Sequence, residues 1–482
     1  MTSCDTLARV RAAGGPELVE RLEHLDRVRT ARITSPALGE HPGAVRPPER
    51  GDALDADVII AGGGLWLLLA PLLVASGLSV IVVERARAGA VHREWNASRP
   101  ELEALVRVGL LTHVELEAMI VAHYREGTCR FAGGGTYPVR GVLDHAVNAG
   151  LLLEHARRLG QTRGVVFADY STVEAESASE HGVRVRIRDA SGAERELAAA
   201  VLVDARGVCS PYSSADLVCP TVGGVLGGLA QGSAEDPSCI DPNVGEILAT
   251  IDDVSAGRQH VWEAFPGRTG ETTVYLFHYA NAREVSPLMD LYARFFAELP
   301  RYKRGDARLL RPTFGFIPGW SRLVPAPKAP HSRIVLVGDA AARQSPLTYC
   351  GFGATLRSLG RAADTVQGLV AGRPAPACAV DDAKVHGLTG ALASVMATRA
   401  LRGAALNALL DAAFHTLWSM GNEPYARLLR DEMSPREVAT FLRRTAVRHP
   451  SVWRTVLRIM PPASLGLWGL RAASALWSDH VS

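Results

Sequence analysis

Residues 57–67 read Asp57-Val58-Ile59-Ile60-Ala61-Gly62-Gly63-Gly64-Leu65-Trp66-Leu67, and this stretch decides the fold. The β-branched run predicts a buried strand, the three glycines predict a tight turn, and the apolar residues after them predict a helix. A second β-branched run, residues 80–83, comes directly before Glu84. Strand, glycine turn, helix and strand form a βαβ unit, so the sequence predicts a doubly wound, Rossmann-like α/β domain.

The same segment is long enough to be considered as a membrane span. Residues 58–83 are 26 positions without a charge, and about 20 apolar residues can cross a bilayer. However, Gly62–Gly64, Pro71 and Gly77 interrupt the segment, and both of its ends are β-branched. These features favour two buried parallel strands instead of a membrane helix.

The composition of the chain limits the class of protein. With 482 residues, of which 47% are apolar and 21% charged, we expect two or three globular domains. The 52 Lys and Arg residues nearly balance the 50 Asp and Glu residues, so no global field attracts nucleic acid. Seven scattered cysteines without a C-x-x-C pair argue against disulfides and a metal site. Since the first residues also lack the apolar core of a secretory signal, we expect a cytoplasmic protein.

The glycine turn and the acidic residue after the second strand together predict dinucleotide binding. Backbone N–H groups of Gly62, Gly63 and Gly64 would face a pyrophosphate, and Glu84 would accept hydrogen bonds from ribose hydroxyls. The third glycine of the usual pattern is absent, because Leu67 occupies its position and Trp66 precedes it. The alternative is a doubly wound domain that kept its fold and lost tight nucleotide binding.

Two later elements specify the cofactor. Residues 202–207 form a strand that ends in Asp204 and Gly207, and residues 334–341 form a strand followed by Gly338 and Asp339. A glycine turn, a strand-Asp-x-x-Gly element and a Gly-Asp-Ala element occur in this order in FAD-containing hydroxylases and their relatives. The ordered set therefore predicts FAD as the cofactor, with NAD(P)H as a reductant of the flavin.

Three longer signatures resemble one family. Residues 94–102 (EWNASRPEL) resemble the EWNxSRxEL signature of the CruA/CruP-type lycopene cyclases, a branch of the FAD-dependent carotenoid cyclases. Residues 262–266 (WEAFP) resemble that family's WEAFP segment, and residues 338–353 resemble its GDASGxQSPLxFGGFG element. The likeness covers roughly residues 55–365. It implies an FAD-binding fold and the cyclisation of a carotenoid-type polyene, which is a lipophilic substrate.

The chain departs from the family's pattern around the presumed cofactor. Trp66 stands where the family has a small glycine, Ala342 replaces a glycine, and Cys350 replaces the first glycine of GGFG. Some family members cyclise lycopene and close paralogues do not. Two other functions therefore stay open: an FAD-dependent monooxygenase or other oxidoreductase of natural-product biosynthesis, and a degenerate member without catalysis.

Glu263 is the candidate catalytic residue. Cyclisation of a polyene needs a general acid, and an apolar pocket keeps a carboxyl group protonated. Glu263 lies on a predicted strand between Trp262 and Phe265, which we expect to line that pocket. The alternative is a strand carboxylate that faces solvent.

Further residues are assigned to the cofactor, although each also has a structural explanation. Arg93 or Arg99 would bind the pyrophosphate, or Arg99 would pair with Glu103 after a helix start capped by Ser98. The resemblance places Gln344 and Pro346 beside the flavin ring. The remaining cofactor candidates are Arg85, Gly351 and Gly353.

These elements divide the chain into four parts. Residues 1–52 form a helical or linker segment with a short helix over 16–29. Residues 53–215 with 330–375 form the FAD-binding domain, with helices over 99–108, 113–123 and 142–159. Residues 216–329 form an interleaved mixed-sheet substrate domain, and residues 376–482 form a helical C-terminal domain.

The last part contains Trp418, Phe441, Trp453, Trp468 and Trp477 among Leu and Arg. Such a surface favours either packing on the main domain or peripheral contact with a membrane that supplies a lipophilic substrate.

Overall fold

The structure is a computed structural model. It describes residues 3–34, 45–91, 93–255, 257–284, 286–322, 329–342, 344–348, 350–374, 386–399 and 401–451, and scattered positions between 454 and 474. Trp453 and Trp477 lie outside the described residues.

The described residues form eleven helices and eighteen strands. The helices are α1 Ser3–Thr34, α2 Leu69–Ala75, α3 Arg99–Arg107, α4 His113–Met119, α5 Ala149–Thr162, α6 Leu288–Tyr302, α7 Gly351–Val370, α8 His386–Met396, α9 Ala405–Met420, α10 Asn422–Leu429 and α11 Pro435–Arg448. The strands are β1 Ala56–Ala61, β2 Val80–Val83, β3 Trp95–Ala97, β4 Ile120–His123, β5 Glu126–Arg130, β6 Thr136–Val139, β7 His145–Val147, β8 Val166–Ala168, β9 Ser171–Ser179, β10 Gly182–Asp189, β11 Glu194–Asp204, β12 Leu217–Leu229, β13 Val244–Ala249, β14 His260–Pro266, β15 Glu271–His278, β16 Ala280–Asn281, β17 Gly305–Gly319 and β18 Ile334–Leu336.

The first sheet is the predicted doubly wound sheet. Its strand order is β8-β2-β1-β11-β10-β9, with β18 also paired to β11. Strands β8, β2, β1, β11 and β18 are parallel neighbours, and β9 and β10 add an antiparallel edge. Parallel strands end at one edge of a sheet, so the turns after β1, β2, β11 and β18 meet there, where ligands of such sheets bind.

The second sheet is the predicted mixed sheet, and it is larger than expected. Its order is β16-β12-β15-β14-β13-β5-β6, with β17 also paired to β12. Sequence analysis placed residues 126–139 in the cofactor-binding domain, but β5 pairs in parallel with β13 and β6 pairs with β5. Strands β5 and β13 are more than 100 residues apart along the chain, and local patterns do not report such pairing. The predicted α/β class with a mixed-sheet region and C-terminal helices is confirmed.

Helix α1 is part of the core and extends well beyond the predicted 16–29. It is interrupted at Gly15, which has a φ of 75°. Val10, Val19 and Leu22 of α1 are buried with α6 side chains such as Phe295 against the second sheet. The N-terminal segment is therefore not a linker over this range.

Two of the predicted helices are shorter or split. The helix predicted over 113–123 ends at Met119, and residues 120–123 form β4, which pairs with β7. The helix predicted over 142–159 is wrong in its first half, because residues 145–147 form β7 and α5 begins at Ala149. Asn148 caps α5 by accepting a hydrogen bond from the Leu151 N–H at 3.1 Å. A capping asparagine in the apolar pattern was the signal for this boundary.

The C-terminal helices pack against the outer strands of the second sheet. Phe414 of α9, Tyr425 of α10 and Phe441 of α11 share a core with Phe131 and Tyr137 near β5 and β6. Among the described residues, no helix combines the length and the hydropathy that a membrane crossing requires.

Candidate functional site

One cavity of about 930 Å³ lies at the carboxyl edge of the first sheet. It extends to one face of β14, β15 and β17, and α1 forms another part of its wall. The predicted site residues that line it are Gly62, Gly64, Glu84, Arg85, Arg93, Gly207, Glu263, Gly338, Asp339, Gln344 and Gly351. The predicted site residues outside its lining are Gly63, Arg99, Asp204, Pro346 and Gly353.

The glycine turn is shaped by close backbone contacts. Gly62 has a φ of 114°, and a Cβ there would lie 2.4 Å from the carbonyl oxygen of Ala205. The N–H of Gly63 donates to Glu84 Oε2 at 2.7 Å, and the N–H of Ala86 donates to Glu84 Oε1 at 3.0 Å. A Cβ on Gly64 would meet no atom within 4 Å. The turn therefore leaves open space in front of Gly64, and Glu84 both braces the turn and faces the cavity.

The helix after the turn begins as a 3-10 turn over Leu65–Leu68, and Trp66 takes part in the site wall. A Cβ on Gly338 would lie 2.5 Å from Trp66 Nε1. This nitrogen is buried without a hydrogen-bond partner in the described part of the chain. The indole of Trp66 thus fills the space between the turns after β1 and β18.

The carboxylate of Asp204 forms hydrogen bonds and an ion pair with neighbouring side chains. Its carboxylate accepts hydrogen bonds from Arg206 Nε at 3.0 Å and from the Ser210 hydroxyl at 2.5 Å. Arg206 also pairs with Glu176 at 2.6 Å. Burial opposes the charge of Arg206, but these two carboxylates raise the pKa of its guanidinium above the usual range. Asp204 is therefore part of a buried ion cluster and does not line the cavity, whereas Ala205, Arg206 and Gly207 of the same element do.

The turn after β18 brings Asp339 and Gln344 together in the cavity. Gln344 Nε2 donates to Asp339 Oδ1 at 2.6 Å. Burial raises the pKa of Asp339, while the charge of Arg93 and the hydrogen bond from Gln344 lower it. These two side chains can hold hydroxyl or carbonyl groups of a ligand.

Arg99, Pro346 and Gly353 have structural roles. Arg99 Nε pairs with Glu103 Oε1 at 2.8 Å, and Arg99 also pairs with Glu117, so its guanidinium is engaged on α3 and α4. A Cβ on Gly353 would lie 2.2 Å from Glu101 Oε1, so this glycine makes room for the buried Glu101–Arg357 pair. Pro346 lies close to Gly390 of α8, where a Cβ would be 3.5 Å from Pro346 Cδ.

Glu263 lies on β14, in the part of the cavity wall that the second sheet forms, whereas the glycine turn follows β1 of the first sheet. Phe265, Phe277 and Ile317 line the same region. Burial raises the pKa of Glu263 to about 8. No described residue donates a hydrogen bond to its carboxyl group or pairs with it, so the neutral acid is favoured at neutral pH.

The expectation that Trp262 lines the pocket is wrong. Side chains alternate along a strand, and Glu263 and Phe265 face the cavity while Trp262 faces the opposite core. There Trp262 stacks on Tyr302 with ring centroids 4.6 Å apart. Trp95 of the EWN signature instead reaches the cavity and stacks on Phe352 at 4.9 Å.

Sequence reasoning missed one group of cavity residues, those on α1. They are Arg21, His24, Leu25, Val28, Ala31 and Arg32. Their spacing of three and four residues places them on one helix face. The same spacing is present in the sequence, but no local sequence pattern indicates that this helix face lies at the carboxyl edge of the first sheet.

Comparisons with solved structures show the fold. A geranylgeranyl bacteriochlorophyll reductase-like protein from Thermoplasma acidophilum is 14% identical with a TM-score of 0.56, over 84% of this chain and 99% of that chain. The halogenase PltM in complex with ethyl mercury and mercury is also 14% identical with a TM-score of 0.56, over 86% of this chain and 99% of that chain. A PltM variant in complex with FAD is 15% identical with a TM-score of 0.53, over 88% of this chain and 92% of that chain.

No protein-family model matches the chain. No curated protein matches it either. The chain thus has the fold of FAD-dependent flavoproteins, and its reaction is a matter of proposal.

Proposed function

We propose that this protein is an FAD-dependent enzyme of oxidoreductase type that acts on a lipophilic small molecule. The observation that carries the proposal is the continuity of one cavity from the glycine turn at Gly62 to the carboxyl group of Glu263. A dinucleotide along the sheet edge would leave the apolar end of the cavity for a substrate. The likeness in fold to a reductase-like protein and a halogenase supports this class.

The residues at the sheet edge fit FAD. Open space in front of Gly64 lets a phosphate approach the backbone, as the second glycine of such turns does in dinucleotide sites. Glu84 uses one lone pair of each oxygen on backbone N–H groups, and a carboxylate keeps further acceptor sites for ribose hydroxyls. Asp339 and Gln344 would hold the part of the cofactor between the diphosphate and the flavin ring.

FAD, when bound, would supply hydride transfer, with NAD(P)H as the reductant. The chain's own contribution is a proton and an apolar surface. Glu263 would hold a proton on its carboxyl group and give it to a substrate carbon at the apolar end. Phe265, Phe277 and Ile317 would exclude water from that end and orient the substrate by contact.

The test is a flavin and turnover assay on the purified protein. We expect FAD to be released on denaturation in about equal molar amount, and NAD(P)H to be consumed with a lipophilic polyene or aromatic substrate. A protein that is colourless and that FAD does not stabilise against heat would overturn the proposal. It would then favour a degenerate family member, in which Trp66, Ala342 and Cys350 have removed cofactor binding.

A second candidate function, cyclisation of a carotenoid-type polyene, is favoured by Glu263. A neutral carboxylic acid in an apolar wall can protonate a terminal double bond without any redox partner. Product mass separates the candidates in a lycopene-accumulating host. An unchanged mass supports the cyclase, added hydrogen or oxygen supports the oxidoreductase, and unaltered lycopene with active flavin turnover on other substrates contradicts the cyclase.

We further propose that the C-terminal helices touch an anionic membrane surface. The side chains of Trp418 and Val447 are 51% and 75% exposed. Arg448 donates a hydrogen bond to Ser419, which brings this end of α11 next to Trp418. Exposed Arg443 and Arg444 lie on the same helix. Apolar and cationic side chains together are typical of peripheral membrane surfaces.

A further inference from the structure

Helix α1 closes the nucleotide end of the cavity. One face of α1 is buried on the second sheet through Val19 and Leu22, and the adjacent face turns Arg21, His24 and Arg32 toward the cavity. The Arg32 guanidinium is occupied, because it donates to the carbonyl oxygen of Ser210. Arg21 is different, because within the described residues it has no hydrogen bond and no ion pair.

Arg21 belongs to a cluster with excess positive charge. Arg85 and Arg93 also line this cavity without a hydrogen bond or ion pair to a described residue. Burial lowers the pKa of the Arg21 guanidinium, Glu84 raises it, and the charges of Arg85 and Arg93 lower it further. Glu84 is the nearby carboxylate, and both of its oxygens already accept backbone N–H groups. Arg93 also lies near Asp339, which accepts a hydrogen bond from Gln344. Three guanidinium groups thus share two carboxylates, and each carboxylate already accepts hydrogen bonds from the protein.

Such an arrangement is unfavourable until an anion enters. Buried charges are stable when they are paired, and guanidinium groups match the geometry of phosphate oxygens. The cluster lines the same cavity as Gly62 and Gly64. The N–H groups of Gly62 and Gly63 donate to Val83 and Glu84, so the open space of the turn is in front of Gly64.

We propose that Arg21, together with Arg85 and Arg93, binds the diphosphate of the dinucleotide cofactor, so that α1 is an integral part of the cofactor site. The inference rests on the proposed FAD dependence and adds a residue from outside the βαβ unit. It assigns to the N-terminal segment a binding role in addition to its packing role.

The experiment compares Arg21→Gln with Arg27→Gln. Arg27 lies on the same helix with a 68% exposed side chain and pairs weakly with Glu23 at 3.8 Å, so it is a matched control. FAD and riboflavin, which lacks phosphates, are titrated into flavin-free protein. Loss of one charged hydrogen-bond partner weakens binding about 10- to 100-fold. We expect this loss for FAD with Arg21→Gln, no change for riboflavin, and wild-type affinity for both with Arg27→Gln.

Thermal stability separates binding from a merely structural role. Without ligand, Arg21→Gln removes repulsion within the cluster, so we expect a melting temperature at or above that of the wild type. With FAD, we expect a smaller increase than in the wild type. Equal weakening of FAD and riboflavin, or unchanged FAD affinity, would overturn the inference. If Arg21→Gln does not fold, Arg21→Lys keeps the charge without the planar fork and should show a weaker loss for FAD alone.

The two proposals fail in different ways. If the wild type does not bind FAD, the proposed function fails, and ADP then tests the cluster alone. Stabilisation by ADP that depends on Arg21 would keep the diphosphate site, whereas no stabilisation by ADP would overturn it.

Discussion

The indole of Trp66 packs against the backbone of Gly338, so closely that a Cβ on this glycine would lie 2.5 Å from Trp66 Nε1. The two residues belong to the turns after β1 and β18, which are far apart along the chain and adjacent at the sheet edge. Trp66 stands where the lycopene cyclase pattern has a glycine, and the structure accommodates the indole by placing it against Gly338. The two positions form one steric unit.

Replacement of Gly338 by alanine should therefore destabilise the protein. The residue has a φ of 55°, which an L-residue adopts at a cost, and the added methyl group would collide with Trp66. We expect a loss of about 2–4 kcal/mol in unfolding free energy, measured by urea denaturation. Gly192→Ala is the matched control, because Gly192 has a φ of 86° and open space around it. A loss no larger than that of Gly192→Ala would contradict the steric unit, whereas partial recovery by Trp66→Leu in the Gly338→Ala background would support it.

Ala342 is a residue with a side chain at a position where the lycopene cyclase signature has glycine. It has a φ of 50° and is fully buried. Left-handed backbone costs an L-residue roughly 1–2 kcal/mol, while glycine adds about 0.5–1 kcal/mol of chain entropy. We expect Ala342→Gly to leave the unfolding free energy unchanged or to raise it by up to about 1.5 kcal/mol. Ala293→Gly within α6 should instead lower it by about 1 kcal/mol. Equal losses at both positions would show that Ala342 carries no strain.

Local signals in the sequence predicted the first sheet and its edge correctly. The β-branched runs, the glycine turn and Glu84 are within 30 residues of each other, so their arrangement follows from the βαβ unit alone. The capping boxes at Ser98 and Thr112 are likewise complete within four residues. The alternation of side chains along a strand also predicts that Trp262 lies outside the pocket, because adjacent residues such as Trp262 and Glu263 face opposite sides of the sheet.

The remaining features depend on partners that are distant in sequence. Asp204 resembles a cofactor ligand until Arg206 and Glu176 are placed beside it. Strands β4 and β7 are three or four residues long, and they are defined by pairing with each other rather than by pattern. Arg21 enters the cavity because α1 packs on the second sheet, which no local motif records.

Membrane contact should depend on charge and on Trp418. We expect the full-length protein to sediment with anionic phosphatidylglycerol vesicles at low salt and to be released at high salt, since screening weakens surface electrostatics. Trp418→Ala should reduce sedimentation, and zwitterionic vesicles serve as the charge control. Protein that stays in the supernatant with anionic vesicles at low salt would rule out the membrane proposal.

The pH dependence of the unfolding free energy should reflect the burial of Glu263. Burial raises the pKa of this residue from 4.5 to about 8 in the folded state. The folded state therefore holds the proton more tightly than the unfolded state, and the contribution of Glu263 to stability is lost as pH rises from about 4.5 to about 8. Glu263→Gln removes this dependence, so its stability relative to the wild type should increase between pH 5 and pH 9. Glu180→Gln, at a side chain that is 84% exposed, should not. Parallel pH curves for wild type and Glu263→Gln would mean that the carboxyl group is hydrated.

If Glu263 is the proton donor, the turnover rate should depend on its carboxyl group. Glu263→Gln keeps the shape of the side chain and removes its transferable proton, so the turnover of a lipophilic substrate should fall about 10²–10⁴-fold. Flavin content should stay the same, because Glu263 belongs to the second sheet and the turn at Gly62–Gly64 belongs to the first. In the wild type the acid is protonated below its pKa of about 8, so the rate should decline as pH rises through that value. Steady-state rates across this pH range, with flavin content checked by absorbance, measure both effects. Full activity of Glu263→Gln, or a wild-type rate that is flat through pH 8, would remove Glu263 as the proton donor.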